Sequence, residues 1–399
     1  MTSKQLVQKL TEKYYDELNH AHENGKLVAW ASSIIPQEFM EAMDILVAYP
    51  ENHAASVAAK GGAIPLLQKA EELGYSNDIC SYARINLAYA KELQSDILNI
   101  PKPDFVVCMT NICGTLVKWY ENLAEYFHVP FILIDCPYNV EYDVSEQSIK
   151  YIKEQFKDFI RQLETICNRP FDYKKFHEVM NISRRAGKSW LKAGRYSTYS
   201  PSPLDGFNMF NYMALIVCLR GREESVQLFD LIAEEMEEMI ANGTSQFKAT
   251  QEHRIMWEGI ACWPYLGSNY KTLKNHGIIM TGSTYPDAWY IDYASEDIDE
   301  MARLYALRLD SANLDKQIDM RTSVINDFHC DGVIYHINRS CKVMTGMQSY
   351  LRGKVFEETG VPYAVFDGDQ SDPNNFSQAQ FETRVEALVE NMNDRKEKQ

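Results

Sequence analysis

The sequence predicts an α/β fold in which two Rossmann-like parallel-sheet domains flank a helical insert, with a helix at the N-terminus. Two observations predict the paired domains: short apolar runs alternate with helical patterns near the start of the chain, and the same alternation returns near its end. A third observation is the stretch between them, where the apolar spacing is helical almost throughout. The predicted boundaries are 1–145 for the N-terminal domain, 146–250 for the helical segment and 251–399 for the C-terminal domain.

The N-terminal domain begins with an amphipathic polar helix and continues as strand–helix pairs. Strands that alternate with helices imply a parallel sheet with right-handed crossovers. The strand candidates are KLVAWASS, DILVAYP, PDFVVCMTN and VPFILIDCPYN, and the helix candidates between them are QEFMEAMD, HAASVAAKGGAIPLLQKAEELGY and GTLVKWYENLAEYFH.

The middle segment has helical spacing from SEQSIKYIKEQ to the acidic EEMEEMIANG, and PSPLDGF at 201–207 is its clearest break. The strand–helix alternation resumes with RIMWEGIACWPY, GIIMTGSTYP, DGVIYHINRS and PYAVFDGDQSD. It ends in the amphipathic helix FSQAQFETRVEALVENMN and a charged tail that we expect to fray. No short-period repeat is visible, so any duplication of the domains lies in their topology.

The composition is that of a globular protein, with 45% hydrophobic and 24% charged residues. The sequence has no apolar run long enough to cross a bilayer and no signal peptide, so we expect a cytoplasmic protein with no membrane role. A net charge of −16 without a dense basic cluster argues against nucleic-acid binding. Nine cysteines without a secretory signal favour reduced thiols or metal ligands over disulfides.

Three cysteines that lie far apart in the chain are candidates for one shared site: Cys80, Cys113 and Cys341. Cys113 and Cys341 closely follow predicted strands, and ligands of open α/β sheets bind at the carboxyl ends of strands. None of the three has a second cysteine at zinc-finger or redox-pair spacing. From spacing alone, all nine cysteines could equally be small buried hydrophobic residues.

Ser33 and Glu51 are the candidates for polar groups at the same edge of the sheet. Ser32 and Ser33 end the first predicted strand, where a hydroxyl can face a ligand or simply cap a helix. Glu51 follows Pro50 at the end of the next strand, where it is either a general base in a dry site or an exposed turn residue.

Several motifs point away from other chemistry. Gly187-Lys188-Ser189 lacks the earlier glycine of a phosphate-binding loop, and no Gly-x-Gly-x-x-Gly follows a strand, so we expect neither an ATP nor an NAD site. Alternation along its strand sets His336 opposite Cys341, which favours packing over metal binding. The remaining cysteines are predicted to be structural, and the aspartates of FDGDQSDP are predicted to form a turn and cap the last helix.

Seven motifs in order along the chain resemble the 2-hydroxyacyl-CoA dehydratase and benzoyl-CoA reductase family: WASSIIPQEF, YPENHAA, GYSNDICSYAR, NICGTLVKWYENLA, EGIACWPY, HINRSCK and FDGDQSDP. The resemblance runs from about residue 25 to 390. In particular, the chain resembles the α subunits of (R)-2-hydroxyacyl-CoA dehydratases of the 2-hydroxyisocaproyl-CoA and phenyllactyl-CoA type.

The resemblance implies a 4Fe–4S cluster bound by Cys80, Cys113 and Cys341, with one iron left open for water, hydroxide or substrate. It implies that Ser33 lies beside the open iron and that Glu51 lies near the substrate as a base. The implied reaction is dehydration of (R)-2-hydroxyacyl-CoA to (E)-2-enoyl-CoA through a ketyl radical, because acid–base catalysis alone does not reach the unactivated C3 proton.

The resemblance also implies two protein partners. One is a β subunit with its own iron–sulfur cluster, which completes a heterodimer, and the other is an ATP-hydrolysing iron–sulfur activator that binds transiently and delivers the priming electron. The acyl chain of the substrate stays open among lactoyl, 2-hydroxyisocaproyl, aryllactyl and 2-hydroxyglutaryl groups. Arg84, Arg339 and Lys342, near the cysteines, either assist an anionic ligand or form structural ion pairs.

Three alternatives remain open at this stage. The chain could be a subunit of a benzoyl-CoA-reductase-like enzyme, which would consume electrons stoichiometrically. It could be a non-catalytic electron-relay subunit whose cluster never meets a substrate. A zinc-binding α/β protein would use the same cysteines without iron.

Overall fold

The computed structural model describes residues 1–398 and confirms the α/β fold class. Residue 399, the last of the predicted C-terminal domain, lies outside the described residues. The strands are β1 (Val28–Ala31), β2 (Leu46–Ala48), β3 (Phe105–Met109), β4 (Phe131–Ile134), β5 (His253–Glu258), β6 (Ile278–Ser283), β7 (Gly332–Asn338) and β8 (Tyr363–Gly368). The helices are α1 (Ser3–Asn19), α2 (Gln37–Ala42), α3 (Pro50–Ala59), α4 (Ala63–Glu72), α5 (Ser81–Glu92), α6 (Gly114–Phe127), α7 (Glu146–Cys167), α8 (Tyr173–Arg195), α9 (Gly206–Cys218), α10 (Glu223–Ala241), α11 (Leu266–Asn275), α12 (Thr284–Asp287), α13 (Ile298–Ala306), α14 (Leu314–Asp327), α15 (Lys342–Thr359) and α16 (Gln378–Glu397).

The two sheets share one topology. The first has the strand order β2-β1-β3-β4 and the second has the order β6-β5-β7-β8, and every strand pair in both is parallel. In each sheet the chain reverses its direction of winding between the two central strands, which leaves a crevice at their carboxyl ends. The two sheet-containing domains therefore repeat the same strand order and strand direction, as the similar strand–helix alternation in the sequence predicts.

Four helices, α7 to α10, occupy residues 146–241 between the sheets in sequence. Helix α1 packs against α9, α10 and β2, and the Tyr14 hydroxyl fixes it by donating to the Val47 carbonyl oxygen at 2.7 Å. The exact domain boundaries stay a prediction. None of the helices within residues 1–398 combines the length and the hydrophobicity that a membrane span needs.

Local structure differs from the sequence expectations at several points. Glu51 lies in the first turn of α3, which Pro50 starts, and is buried, so the alternative of an exposed turn residue is wrong. The C-terminal tail continues as α16 to Glu397. Cys136 lies beyond the end of β4 instead of inside it. Ser377 caps α16, so the prediction that the aspartates of FDGDQSDP cap this helix is wrong. Asp369 and Asp372 instead contact residues of α5.

A buried polar network joins the two sheet-containing halves. Asp369, which directly follows β8, accepts a hydrogen bond from the Ser81 hydroxyl at 2.6 Å and one from the Ser340 N–H at 3.1 Å. Nearby, Arg84 of α5 forms an ion pair with Asp372 at 2.6 Å, and the Arg84 side chain is 1% exposed. Both contacts tie α5 to the loop that follows β8.

The Arg84–Asp372 pair supplies a stability prediction. Arg84→Met should lower the free energy of unfolding by about 3–5 kcal/mol, because it leaves a buried carboxylate without its partner. The double variant Arg84→Met/Asp372→Asn should recover much of that loss, since it removes the uncompensated charge. Denaturant unfolding measures both. Lys342→Met, which breaks the exposed Lys342–Asp78 pair, is the control and should have little effect. If Arg84→Met and Lys342→Met lowered the free energy of unfolding by equal amounts, the prediction would be wrong.

Candidate active site

One cavity lies where the carboxyl ends of the two sheets meet. Its lining includes Ser33 after β1, Cys113 after β3, Ile260 after β5 and Cys341 after β7. These four strands are the central pairs of the two sheets, so both crevices open into the same cavity. The fold thus brings residues from distant parts of the chain to one place.

All five predicted site residues line this cavity: Ser33, Glu51, Cys80, Cys113 and Cys341. The three cysteines share a structural role, because each is the N-cap residue of a helix: Cys80 of α5, Cys113 of α6 and Cys341 of α15. Their side chains make no capping hydrogen bond, so the sulfur atoms remain able to bind a metal. Three helix N-termini, with their partial positive charge, therefore surround the cavity.

The cavity disfavours negative charge on these thiols. Burial raises the pKa of Cys80 to about 12 and that of Cys113 to about 11, and it also raises the pKa of Cys341. The Cys113 thiolate raises the pKa of Cys80 further, and both raise the pKa of Cys341, so the three groups are electrostatic neighbours. Nearby first-turn N–H groups oppose the rise at each cysteine. The thiols need a positive partner to ionise near neutral pH.

The spacing of these thiols bears on the metal they suit. Among residues 1–398, no three His, Cys, Asp or Glu side chains are grouped closely enough to hold a single metal ion. A tetrahedral zinc site gathers its ligands around one atom. An iron–sulfur cluster is larger, and its cysteines bind different iron atoms. Three thiols that line one cavity are a donor set that a cluster of this kind could use.

Glu51 and Ser33 are held together in the cavity wall. The Ser33 N–H donates to both carboxylate oxygens of Glu51 at 3.1 and 3.3 Å, and the Tyr120 hydroxyl donates to Oε2 at 2.6 Å. Burial raises the pKa of Glu51, whereas these donors stabilise the carboxylate and oppose the rise. Glu51 is thus a buried carboxyl group held in a fixed orientation.

Sequence reasoning missed Asp310 and Gln370. Asp310 lies in a short 3-10 helix (Leu309–Ser311) and lines the cavity, and its Oδ1 atom is buried without a hydrogen-bond partner in the described chain. Burial raises its pKa to about 7. The Ser311 hydroxyl donates to the Asn111 carbonyl oxygen at 2.6 Å and fixes this helix beside the Cys113 loop. Gln370 Nε2 lies 3.5 Å from Cys80 Sγ. Asp310 lies in none of the seven motifs, whereas Gln370 lies within FDGDQSDP, which is interpreted from the sequence only as a turn and helix cap.

The basic residues near the cysteines are largely structural. Arg84 is buried in its pair with Asp372, and Lys342 forms an exposed pair with Asp78 at 2.7 Å. Arg339 is exposed and forms no ion pair within residues 1–398. None of the three lines the cavity. The structural alternative therefore holds for Arg84.

Two other motifs have packing roles. His336 Nδ1 lies 2.6 Å from the Ile260 carbonyl oxygen and its ring stacks on Phe366, so the packing interpretation is confirmed. Gly187 lies inside α8, where a Cβ atom would come within 2.5 Å of the Ile291 carbonyl oxygen. That close approach explains the glycine. The other six cysteines lie outside the cavity lining.

Comparison with known proteins finds relatives that are described as dehydratase α subunits and that match nearly the full chain. The chain is 45% identical to the (R)-2-hydroxyisocaproyl-CoA dehydratase alpha subunit of Clostridioides difficile, over 98% of this chain and 96% of the relative. It is 43% identical to the (R)-phenyllactyl-CoA dehydratase alpha subunit of Clostridium sporogenes, over 99% and 97%. It is 36% identical to the (R)-2-hydroxyglutaryl-CoA dehydratase subunit alpha of Acidaminococcus fermentans, over 99% and 98%.

The match to a protein family covers every strand except β1 and includes the helices between the two sheets. The model of the family described as 2-hydroxyglutaryl-CoA dehydratase, D-component, matches residues 32–392, a range that holds all five predicted site residues. The resemblance first seen in seven short motifs is confirmed over nearly the whole chain. The chain belongs to the 2-hydroxyglutaryl-CoA dehydratase D-component family.

Proposed function

We propose that this chain is the α subunit of an (R)-2-hydroxyacyl-CoA dehydratase, which removes water from its substrate through a ketyl radical to give an (E)-2-enoyl-CoA. The relatives of 36–45% identity named above are all dehydratase α subunits that match nearly the full chain. The observation that carries the proposal is the cavity itself, where three N-cap thiols face a fixed pair of Ser33 and Glu51.

The proposed cofactor is one 4Fe–4S cluster held by Cys80, Cys113 and Cys341. Three soft sulfur donors without a fourth cysteine in the lining suit a cluster with one iron that is not bound by cysteine. Ser33 is the candidate to hydrogen-bond a group at that open position. When bound, the cluster supplies one-electron chemistry and a Lewis-acidic site for a substrate oxygen.

Glu51 is the proposed base that accepts the C3 proton of the acyl chain. Its carboxylate is oriented by hydrogen bonds from the Ser33 N–H and the Tyr120 hydroxyl, which fix its position in the cavity wall. Burial strengthens Glu51 as a base, because it disfavours the charged form relative to the protonated one. Apolar walls exclude water and protect a reactive intermediate.

Two partners complete the proposed system. An α subunit requires a β subunit, which we propose carries its own iron–sulfur cluster. A separate ATP-hydrolysing iron–sulfur activator would provide the priming electron, which agrees with the absence of a phosphate-binding loop from this sequence. A reductase of the benzoyl-CoA type would instead consume electrons stoichiometrically, so the ratio of electrons supplied to product formed separates the two functions.

Cluster binding by the cysteines gives the first functional prediction. Replacement of Cys80, Cys113 or Cys341 by serine should remove about four iron atoms from the anaerobically purified heterodimer, because each variant loses a soft ligand. Iron analysis and the visible absorption spectrum measure the loss. Cys167→Ser, at a half-buried cysteine outside the cavity, is the matched control and should keep its iron. Full iron content in all three variants would overturn the assignment.

The proposed role of Glu51 gives the second functional prediction. Glu51→Gln preserves shape but cannot accept a proton, so kcat should fall about 10²–10⁴-fold while iron content stays unchanged. Turnover of (R)-2-hydroxyacyl-CoA with activator and ATP measures this. The control is Glu72→Gln on the exposed surface of α4, which should match the wild type. If Glu51→Gln retains near-normal turnover, another group is the base.

A further inference from the structure

Most of the cavity wall away from the thiols is apolar. Helix α9 contributes Met213, Ala214 and Val217, which lie on one helical face and which we call the α9 wall. Trp119 of α6 and Trp289 after α12 add aromatic surface to the same lining. A ligand group in this part of the cavity meets hydrocarbon on several sides.

The lining contains no positive side chain. Among the described residues that line the cavity there is no lysine, arginine or histidine, whereas Glu51 and Asp310 are both present. A carboxylate on the acyl chain would enter a desolvated site without a counter-ion and beside two acidic groups. The lining therefore opposes an acidic acyl chain in two ways, by desolvation and by repulsion.

Three arginines that lie outside the lining already form buried hydrogen bonds or ion pairs within the protein. Arg220 donates to the carbonyl oxygens of Ile35 and Trp289 at 3.0 and 2.8 Å. Arg308 donates to two main-chain carbonyl oxygens at 2.8 and 2.9 Å. Arg321 is in a buried ion pair with Glu258. Recruitment of any of these to a substrate carboxylate would break buried hydrogen bonds, at a cost that offsets the gain.

From this lining we infer that the substrate of this dehydratase carries an uncharged apolar acyl chain, the size of a branched alkyl or aryl group, seated against the α9 wall. The inference rests on the proposed function and adds the substrate class to it. Ala214 is central, because its small side chain on a partly accessible part of α9 leaves room that a larger residue would fill. A lactoyl methyl group would leave much of that apolar surface without contact.

The test compares four thioesters in the complete heterodimer with its activator and ATP under anaerobic conditions. These are the (R)-2-hydroxyisocaproyl, (R)-phenyllactyl, (R)-lactoyl and (R)-2-hydroxyglutaryl esters of CoA. The better of the first two should exceed the 2-hydroxyglutaryl ester by about 100- to 1,000-fold in kcat/KM, as expected for an unpaired buried charge. It should exceed the lactoyl ester by at least about 10-fold.

A variant locates the acyl chain. Ala214→Leu fills space at the α9 wall and should lower kcat/KM for the isocaproyl and phenyllactyl esters at least about 10-fold, with the lactoyl ester nearly unchanged. Asn211→Leu adds the same side chain at an exposed position of the same helix and should alter none of them. Binding of the matching 2-enoyl-CoA products without priming provides a second readout, which should weaken in the same order.

The outcomes are distinct. Dehydration of none of the four esters by an iron-replete, primed heterodimer would contradict the proposed function. Dehydration with 2-hydroxyglutaryl-CoA as the best substrate would overturn the inference and leave the proposed function intact. Equal effects of Ala214→Leu on large and small acyl chains would show that the α9 wall does not contact the acyl chain, which also overturns it.

Discussion

The site depends on a single buried carboxylate, that of Asp369. One of its oxygens accepts from the Ser81 hydroxyl and from two N–H groups of its own loop, and the other accepts from the Ser340 N–H. Ser81 directly follows Cys80, and Ser340 directly precedes Cys341. Asp369 therefore fixes the separation of two cavity cysteines that belong to different halves of the chain. A fully buried carboxylate is tolerated here because four donors satisfy it.

The repeated topology explains why this arrangement arises without a sequence repeat. Strands β3 and β7 hold the same place in their sheets, and the helix that follows each begins next to a cysteine, Cys113 or Cys341. Two crevices of the same kind, turned toward each other, supply thiols from both sides of one cavity. Cys80 has no such counterpart, since it precedes a helix of the β2–β3 crossover. Two of the three cysteines thus follow from the general rule for open α/β sheets, and the third does not.

Features that follow from local sequence patterns could be predicted from the sequence, whereas features that depend on tertiary contacts could not. Alternating strand and helix patterns located the sheets, since period and length report local structure. The strand pattern predicts Glu51 at a strand end, although Pro50 is a helix-start signal that indicates its position in a first turn. Asp310 carried no signal, because it reaches the cavity only through tertiary contacts such as that of Ser311 with Asn111. The aspartate turn after β8 was recognised, but not that Asp369 reaches across to α5. Local patterns specify elements, whereas the network that aligns them is tertiary.

The cavity must exclude water and yet stabilise negative charge on the cysteine sulfur atoms. The N-termini of three helices make both possible. An apolar lining excludes water, but the same burial raises the pKa of the Cys80 and Cys113 thiols to about 12 and about 11. The first-turn N–H groups of three helices oppose this rise and bring partial positive charge to the sulfur atoms without any lysine or arginine. Because backbone dipoles are fixed and short in range, their stabilisation stays with the sulfur atoms and does not extend to the α9 wall. One end of the cavity can thus hold anionic sulfur while the other stays apolar enough for an uncharged acyl chain.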